Sequence, residues 1–187
     1  VARARDAGWR SRAVYKLEEL DRRLKLIRPG SVVVDLGAAP GGWSQYAAGR
    51  VGPRGQVVAN DLLPMEPLAG VEYVQGDFTE DAALQQLMQR IGAGGADLVM
   101  SDMAPNISGM RSVDQPRSMY LAELACDLAA KTLKSGGSFV TKVFMGEGFD
   151  QLLGDCRSAY ATVKVIKPAA SRAESRETYI AALGFGL

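Results

Sequence analysis

The chain of 187 residues has no histidine and only two cysteines. The lack of histidine excludes a Ser-His-Asp triad, a histidine-based nuclease and most zinc sites, because each of these uses imidazole as a base or a ligand. Cys126 and Cys156 lie far apart in segments with helical patterns. We therefore expect buried free thiols in a reducing compartment, and a cytoplasmic protein. No apolar run approaches the roughly 18 residues of a membrane span, so we expect no membrane association.

Charge is nearly balanced, with a formal net charge of +1, but it is unevenly distributed. Residues 1–28 carry nine Lys and Arg against four acids, residues 157–187 carry five against two, and the middle is acidic. A basic end is often only a solvated face. If the two basic ends converge at one opening of the domain, they form a binding surface for nucleic acid, with residues 1–28 facing RNA. The candidate phosphate contacts are Arg3, Arg5, Arg10, Arg12, Arg172 and Arg176.

Alternating strand and helix patterns predict an α/β, Rossmann-like, doubly wound and mainly parallel sheet of seven strands. Strands are expected to begin at residues 32, 56, 71 and 96, with further strands at 138–144, 162–166 and 178–183. Helices are expected at 43–50, 80–91, 116–133 and 149–158, after a first helix that Ser11 caps and Pro29-Gly30 ends. No repeat, low-complexity tract or linker divides the chain. We therefore predict one domain over residues 1–187.

The most informative stretch is VVVDLGAAPGGW at residues 32–43. A strand passes there directly into a helix through Gly37, Gly41 and Gly42, where Cβ atoms would obstruct the backbone. Such a turn lets a ligand lie against bare main chain, facing a helix N-terminus. The stretch predicts a nucleotide or nucleoside cofactor site. The alternative is an ordinary glycine-rich connection that binds nothing.

Three cofactors fit this turn unequally. A P-loop requires Lys-Ser or Lys-Thr after its last glycine, where this chain has Trp43-Ser44. A dinucleotide site requires a middle glycine that admits the pyrophosphate, and Ala39 stands in that place. S-adenosylmethionine has no phosphate, so Ala39 and Pro40 are tolerable. The turn therefore favours the methyl donor.

Acidic residues follow three further predicted strands. Asp61 lies 19 residues beyond Gly42, a spacing typical of a ribose-binding acid in NAD and methyl-donor sites alike. Asp77, with its neighbour Phe78, suits an adenine ring, whose amine donates a hydrogen bond while its face stacks. Asp102 follows the fourth strand. Each acid alone is more often a loop cap, but four strands that each deliver an acid at the same end predict a site.

Lys142 lies in an apolar strand segment between Val140 and Phe144, where a lysine is unfavourable unless it is paired or functional. One interpretation is structural: Lys142 is exposed at a sheet edge or forms a salt bridge to Asp102. The other is catalytic: its amine accepts the proton of a substrate hydroxyl. Methyl transfer depends mainly on positioning an in-line nucleophile. The polar groups placed for this are Asp102, Lys142 and Glu177, with Lys16 supplied by the first helix.

Motifs spread over essentially the whole chain resemble those of the FtsJ family of RNA ribose methyltransferases. They are RSRA at 10–13, Lys16-Leu17, the turn at 35–43, SDMAPN at 101–106, KVF at 142–144 and SRETY at 175–179. The resemblance implies S-adenosylmethionine-dependent 2′-O-methylation of RNA without a metal, and a further basic tail ahead of residue 1. It implies a catalytic tetrad of Lys16, Asp102, Lys142 and Glu177. It also implies cofactor contacts at Gly41, Trp43, Asp61, Asp77 and Asp102. From the patterns of the turn and the third strand we add Gly37, Pro40 and Phe78 as candidate cofactor contacts.

Residues 103–109 and 114–121 look like the bacterial ribosomal RNA branch of this family. Relatives that act on tRNA anticodon loops tend to carry Gly and Asp where Met103 and Asn106 stand. The resemblance therefore implies methylation of an A-loop uridine in 23S rRNA, on an assembled or nearly assembled large subunit. We expect a monomer that yields S-adenosylhomocysteine, and tRNA or an mRNA cap is the alternative substrate.

Two interpretations from other classes stay open. A small NAD-dependent oxidoreductase would share Gly37, Gly42 and Asp61, but it would leave Asp77 and the two lysines unexplained. A non-catalytic RNA-binding module for ribosome assembly would need the basic ends but not a complete tetrad.

Overall fold

The computed structural model describes residues 2–187, which form an α/β fold on one sheet. The strands are β1 (Val32–Leu36), β2 (Gln56–Asp61), β3 (Val71–Gln75), β4 (Ala96–Ser101), β5 (Leu133–Phe144), β6 (Tyr160–Ile166) and β7 (Glu177–Phe185). The helices are α1 (Ala2–Asp6), α2 (Val14–Leu24), α3 (Gly42–Val51), α4 (Asp81–Ile91), α5 (Arg111–Thr132) and α6 (Phe149–Ala159).

The seven strands are ordered β3-β2-β1-β4-β5-β7-β6. β7 runs antiparallel to β5 and β6, and every other neighbouring pair is parallel. The prediction of a mainly parallel, doubly wound sheet is confirmed. The strand order changes direction between β1 and β4, and open sheets of this kind bind ligands at the carboxyl ends of the strands at that point.

Helices cover both faces because side chains alternate along each strand. Val33 of β1 is buried in the core that α2 and α3 form on one face, whereas Val34 lies in the core of α4, α5 and α6 on the other. Leu17 and Leu20 place α2 in the first core with no exposed surface. Burying one leucine stabilises the fold by about 1.5–3 kcal/mol. The basic N-terminal region therefore includes an integral helix of the domain.

Element boundaries differ from expectation at β5, which begins at Leu133 rather than at residue 138, and at two helices. α2 begins at Val14 with Ala13, not Ser11, as its N-cap. α2 ends at Leu24 because Lys25 adopts a left-handed conformation, with φ of 53°, so the helix stops before Pro29-Gly30. α5 begins at Arg111, five residues earlier than predicted. The Asp114 carboxylate accepts hydrogen bonds from Ser108 and from the Gly109 N–H, which fixes the preceding loop against the first turn. α5 thus includes Pro116 rather than beginning there.

The structure also bears on the expectations about membrane-spanning segments and about the two cysteines. Within residues 2–187, no helix is both long enough and apolar enough to cross a membrane. Both cysteines are free thiols, although Cys126 is only partly buried. The nearby Cys156 thiol lowers the pKa of the Cys126 thiol below its ordinary value, where α5 and α6 pack together. The residues that lie far apart in sequence are therefore neighbours in the fold.

Candidate active site

Side chains from other segments pack closely against the glycine-rich turn between β1 and α3. Gly37 has φ of +70°, and a Cβ there would lie 2.3 Å from Cγ of Met103. Gly41 has φ of +117° and precedes α3, where a Cβ would lie 3.0 Å from Cδ1 of Leu68. Both conformations favour glycine. The turn therefore presents bare main chain at the carboxyl end of β1.

A cavity of about 500 Å³ opens beside this turn. The carboxyl ends of β1 to β4, the loops that follow them and one side of α5 form its walls. The lining residues are Gly37, Ala39, Asn60, Asp61, Leu62, Leu63, Gly76, Asp77, Phe78, Thr79, Asp102, Met103, Ala104, Tyr120, Leu121 and Leu124. One wall thus carries carboxylates from β2, β3 and β4, and the other is mainly apolar.

Two of these carboxylates organise the cavity wall. Oδ2 of Asp61 accepts a hydrogen bond from the Ala39 N–H at 2.9 Å, and Oδ1 accepts one from the Leu63 N–H at 3.1 Å. Asp61 therefore ties the glycine-rich turn to the loop after β2. Oδ1 of Asp77 accepts from the N–H and the hydroxyl of Thr79, at 2.9 and 2.6 Å. Oδ2 of Asp77 takes part in neither bond and is placed to accept from a ligand.

Strand register brings a second group of polar side chains to the edge of this cavity. Met100 of β4 pairs with Val140 of β5, so Asp102 comes level with Lys142 two residues further on. Lys142 pairs with Tyr179 of β7. Paired residues project from the same face of a sheet, here the face covered by α2 and α3. The strand register alone therefore brings the side chains of Asp102, Lys142 and Tyr179 together.

Glu177 and Lys16 complete the cluster from two other directions. Glu177 precedes Tyr179 by two residues on β7, so both side chains point to the same face. Lys16 lies on α2, next to Leu17, which anchors that helix to the sheet. The Lys16 ammonium donates to Oε1 of Glu177 although the two residues are 161 positions apart. The predicted tetrad residues are therefore adjacent in the fold.

The cluster is a continuous chain of charge pairs. Nζ of Lys142 lies 3.2 Å from Oδ1 of Asp102 and 3.4 Å from Oε2 of Glu177. The Tyr179 hydroxyl donates to Oδ1 of Asp102. Lys142 has only 9% of its side chain exposed, and β5 lies inside the sheet. An edge-exposed Lys142 is therefore wrong, and its pairing with Asp102 is confirmed. Two ammonium groups balance two carboxylates, as buried charges require.

Burial and charge shift the pKa values of the acids in opposite directions. Burial raises the pKa of Asp102 above its ordinary value, and the Lys142 charge opposes this. Burial also acts to raise the pKa of Glu177, but the Lys16 hydrogen bond and the Lys142 charge lower it below the ordinary value. Burial and the nearby Asp102 carboxylate raise the pKa of Tyr179. Tyr179 is thus held as a neutral hydrogen-bond donor, while Glu177 is held ionised.

The structure places the predicted cofactor residues in two groups. Gly37, Asp61, Asp77, Phe78 and Asp102 line the cavity, whereas Pro40, Gly41 and Trp43 are not among its lining residues. Trp43 is buried, and its indole N–H donates to the Ala13 carbonyl at 2.9 Å. Its ring lies 6.0 Å from that of Tyr179. In this structure Trp43 joins α2 to β7 behind the cavity.

Sequence reasoning assigned no role to three residues that shape the site. Asp35 is buried at the end of β1, and Ser44 donates to Oδ2 of Asp35 at 2.7 Å. Burial and the neighbouring carboxylates raise the pKa of Asp35 to about 7. The Asn60 amide donates to two carbonyls of β3 and the turn after it. Tyr179 could have been found from the strand period, because it lies two residues after Glu177.

These residues fit an adenosyl donor. Asp61 and the free oxygen of Asp77 offer acceptors for ribose hydroxyls and an exocyclic amine, and Phe78 offers an aromatic ring. At Gly37 the space that a Cβ would take is filled by the Met103 side chain, so glycine there allows the turn and the loop after β4 to pack closely. Among residues 2–187, no group of three or more His, Cys, Asp or Glu is arranged to hold a metal ion.

The two basic ends of the chain meet beside the cluster. The Ala169 N–H donates to both carboxylate oxygens of Glu19 on α2, at 2.9 and 3.0 Å. Lys16 reaches Glu177 just beyond this contact. Residues 167–177 therefore lie against α2. Of the predicted phosphate contacts, Arg3, Arg5, Arg12, Arg172 and Arg176 are exposed, whereas Arg10 is half-buried.

Comparisons with known proteins find ribosomal RNA methyltransferases that are similar in sequence and in fold. A ribosomal RNA large subunit methyltransferase E from Hahella chejuensis is 58% identical over 185 residues, covering 99% of this chain and 90% of that protein. A solved ribosomal RNA methyltransferase from Plasmodium falciparum has a TM-score of 0.83 at 25% identity, over 95% of this chain and 98% of that one. A protein from Clostridium thermocellum described as an rRNA methylase shares the fold, with a TM-score of 0.60 at 15% identity over 90% and 97%.

The glycine-rich turn, the acids at the strand ends and the buried lysine lie in one continuous match of residues 9–185 to the FtsJ-like methyltransferases. Membership of this family implies S-adenosylmethionine as the methyl donor. The chain belongs to the FtsJ-like methyltransferase family.

Proposed function

We propose that this protein transfers a methyl group from S-adenosylmethionine to a ribose 2′-oxygen of large-subunit ribosomal RNA. The observation that carries the proposal is the position of Lys142, which is paired with Asp102 and Glu177 at the edge of the cavity. Asp102 belongs to both places, since it lines the cavity and contacts Lys142. A nucleophile held by the lysines would therefore face a donor held in the cavity.

Electrostatics of the cavity favour a cationic donor. S-adenosylmethionine would supply an electrophilic methyl group on a positively charged sulfur. Burial is the main cause of the raised pKa of Asp35, and the charges of Asp102 and Asp61 add to it, so negative charge lies close together at the ends of β2 and β4. An opposite charge is stabilised by such a field. S-adenosylhomocysteine has lost that sulfur charge, which weakens this attraction after transfer.

Lys142 acts on the nucleophile. In its neutral form, the Lys142 amine would accept the proton of the 2′-hydroxyl while the oxygen bonds to the methyl carbon and the carbon–sulfur bond of the donor breaks. The resulting ammonium is the species that Asp102 and Glu177 stabilise. General-base assistance of this kind contributes about 10²- to 10⁴-fold in rate. Asp102 and Glu177 fix the direction of Nζ, because each carboxylate contacts it from a different strand. Lys16 holds the second oxygen of Glu177. The tetrad thus orients one amine through two carboxylates, one of which Lys16 holds in place, and positioning supplies the rest of the rate.

The basic ends supply the RNA-binding surface. Residues 167–177 and α2 are in direct contact, so Arg12, Arg172 and Arg176 lie on segments that flank the cluster. Arginines of this kind bind phosphates without reading the base sequence. They would bring an RNA backbone over Lys142 while the donor lies behind it.

The finer substrate assignment rests on relatives and motifs. The relative from Hahella chejuensis is named for methylation of large-subunit ribosomal RNA, and residues 103–109 look like that branch of the family. We infer a uridine of the 23S A-loop as the target, on an assembled or nearly assembled subunit, with the protein acting as a cytoplasmic monomer. Methylation of a tRNA anticodon loop is the competing assignment.

The test is to map 2′-O-methyl groups in total RNA from cells with and without this protein. We expect one large-subunit position to lose its methyl group on deletion and to regain it with the natural protein. Lys142→Ala should not restore it, while Lys164→Ala, which removes an exposed strand lysine, should. Loss confined to tRNA would support the competing assignment, and no change in any ribose would overturn the proposal.

A further inference from the structure

Arg10 is fixed in place by helix α3. Its backbone N–H donates to Oε1 of Gln45 at 3.1 Å, and Nε2 of Gln45 donates to the carbonyl of Gly8 at 2.9 Å. Gln45 lies in the first turn of α3, directly after the glycine-rich turn. The backbone that carries Arg10 is therefore held against the helix that begins at the donor cavity.

The guanidinium of Arg10 links two separate loops. Nη1 donates to the carbonyls of Pro40 and Glu66 at 3.1 and 2.7 Å, and Nη2 donates to the carbonyl of Pro67 at 2.9 Å. A guanidinium carries five N–H groups in a rigid plane, so it can join carbonyls that an ammonium would not hold in fixed directions. Three of those groups are taken by the protein itself. Arg10 is therefore tied down rather than free to follow an RNA backbone.

One of the two loops forms a wall of the cavity. Leu62 and Leu63 line the cavity while remaining largely exposed to solvent. Nε2 of Gln75 donates to the Leu62 carbonyl at 3.1 Å and anchors the beginning of this loop. The contacts of Arg10 hold its middle, several residues further on. Without them, the hydrogen bonds of residues 64–67 to Arg10 would be lost, and Leu68 would keep the bond that its carbonyl accepts from the Val71 N–H at 3.2 Å.

The same residues also pack around the glycine-rich turn. A Cβ on Gly41 would lie 3.0 Å from Cδ1 of Leu68, 3.2 Å from Sδ of Met65 and 3.3 Å from Cδ of Arg10. The stem of Arg10 and two apolar side chains of the loop therefore meet over one stretch of bare backbone. Arginine commonly packs its methylenes in this way while its charged end makes hydrogen bonds.

We propose that Arg10 is a positioning residue for the methyl donor, which closes residues 62–68 against the glycine-rich turn and so keeps the cavity wall in its binding geometry. The inference rests on the proposed function in taking this cavity as the donor site. It changes the assignment of Arg10, which the sequence grouped with the phosphate-binding arginines. Gln45 acts with Arg10, because it sets the backbone position from which the guanidinium reaches both loops.

The test compares S-adenosylhomocysteine affinity, measured by calorimetry, among the natural protein, Arg10→Ala, Arg10→Lys and Gln45→Ala. We expect about tenfold weaker binding in both Arg10 variants and a smaller loss in Gln45→Ala, which changes no charge. The Lys variant should fail to rescue, since it keeps the charge but not the planar donor array. Amide hydrogen exchange of residues 62–68 should rise in all three variants, and the urea midpoint identifies any variant that has simply unfolded.

RNA binding provides the opposing readout. The slope of log affinity against log salt should be the same in Arg10→Ala as in the natural protein. A slope reduced by about 0.7–0.9, with donor affinity unchanged and rescue by Arg10→Lys, would make Arg10 a phosphate contact and overturn the inference. If the natural protein does not bind S-adenosylhomocysteine, the proposed function itself fails. Natural binding that none of the three variants alters removes the inference about Arg10 alone.

Discussion

Nζ of Lys142 lies 3.2 Å from Oδ1 of Asp102 because β4 and β5 pair in a register that places residue 102 beside residue 142. The two residues therefore do not need a flexible loop to meet. Glu177 reaches the same ammonium at 3.4 Å from β7, on the other side of β5. A lysine held by rigid strands on both sides has little freedom to leave the reacting position, which suits a reaction that depends on orientation.

Replacing Lys142 should separate catalysis from donor binding. Lys142→Ala should lower the single-turnover methylation rate by about 10²- to 10⁴-fold or more, while S-adenosylhomocysteine affinity stays nearly unchanged. Lys142→Arg should fail almost as badly, because a guanidinium does not give up its proton. Rates are measured on ribosomal particles with saturating donor, with Lys164→Ala as the matched control. A near-normal rate in Lys142→Arg would show that the residue supplies positive charge only.

Replacing Asp102 should affect both functions together. Its carboxylate lines the cavity and also contacts Lys142 and Tyr179, so Asp102→Ala leaves a buried ammonium and a hydroxyl without their partner. Loss of one member of a buried charge pair is strongly destabilising. We expect weaker S-adenosylhomocysteine binding and a lower methylation rate at saturating donor. A variant with natural donor affinity would place Asp102 on the RNA side of the reaction alone.

The two cavity acids should contribute unequally to donor affinity. Asp61→Ala and Asp77→Ala should each weaken S-adenosylhomocysteine binding by about 1–3 kcal/mol, because polar groups of the adenosine lose their partners. The loss should be larger for Asp61, which also holds Ala39 and Leu63. Calorimetry provides the measurement, and Glu174→Ala, which removes an exposed acid outside the cavity, is the control. Unchanged binding in both variants would mean that the donor site lies elsewhere.

RNA affinity should depend steeply on salt. Each phosphate neutralised contributes about 0.7–0.9 to the slope of log affinity against log salt, so Arg12→Ala, Arg172→Ala and Arg176→Ala should each reduce the slope by about that amount. Arg54→Ala is the matched control, since this exposed arginine lies just before β2, at the amino ends of the parallel strands and away from the cavity. A flat salt dependence in the natural protein would remove the electrostatic basis of the RNA-binding surface.

Asp35 should make stability depend on pH. Burial raises its pKa from 3.8 to about 7 in the folded state, so the folded chain keeps a proton that the unfolded chain releases. The stabilisation is full below about pH 4 and is lost as pH rises through about 7. Asp35→Asn stays neutral throughout and can still accept from Ser44. Relative to the natural protein, its free energy of unfolding should rise by about 4 kcal/mol between about pH 4 and pH 8.

Urea denaturation at several pH values measures this difference. Ser44→Ala is an informative companion, because it removes the hydrogen bond that opposes the raised pKa of Asp35. Its stability should therefore continue to decline to a higher pH than that of the natural protein. Parallel pH profiles for the natural protein and Asp35→Asn would show that Asp35 titrates in its ordinary range.

Local patterns in the sequence were enough for most of the fold. The apolar runs at β1, β2 and β4 and the glycines of the turn determine strand, turn and helix through backbone preference and side-chain period, which act over a few residues. Acids at strand ends could be assigned to one edge because parallel strands share it. By contrast, α5 begins five residues ahead of Pro116, where Ser108 of the preceding loop donates to Asp114, and side-chain period does not report such a contact.

What the sequence determined by itself is thus the architecture and which residue types stand at the strand ends. Three contacts were decided only by the tertiary structure. Lys16 on α2 reaches Glu177 on β7, Trp43 lies behind the cavity, and Arg10 is bonded to loop carbonyls. The physical reason is range. Strand period and turn conformation are encoded within a few neighbouring residues, whereas these contacts are set by how helices and loops pack onto the finished sheet.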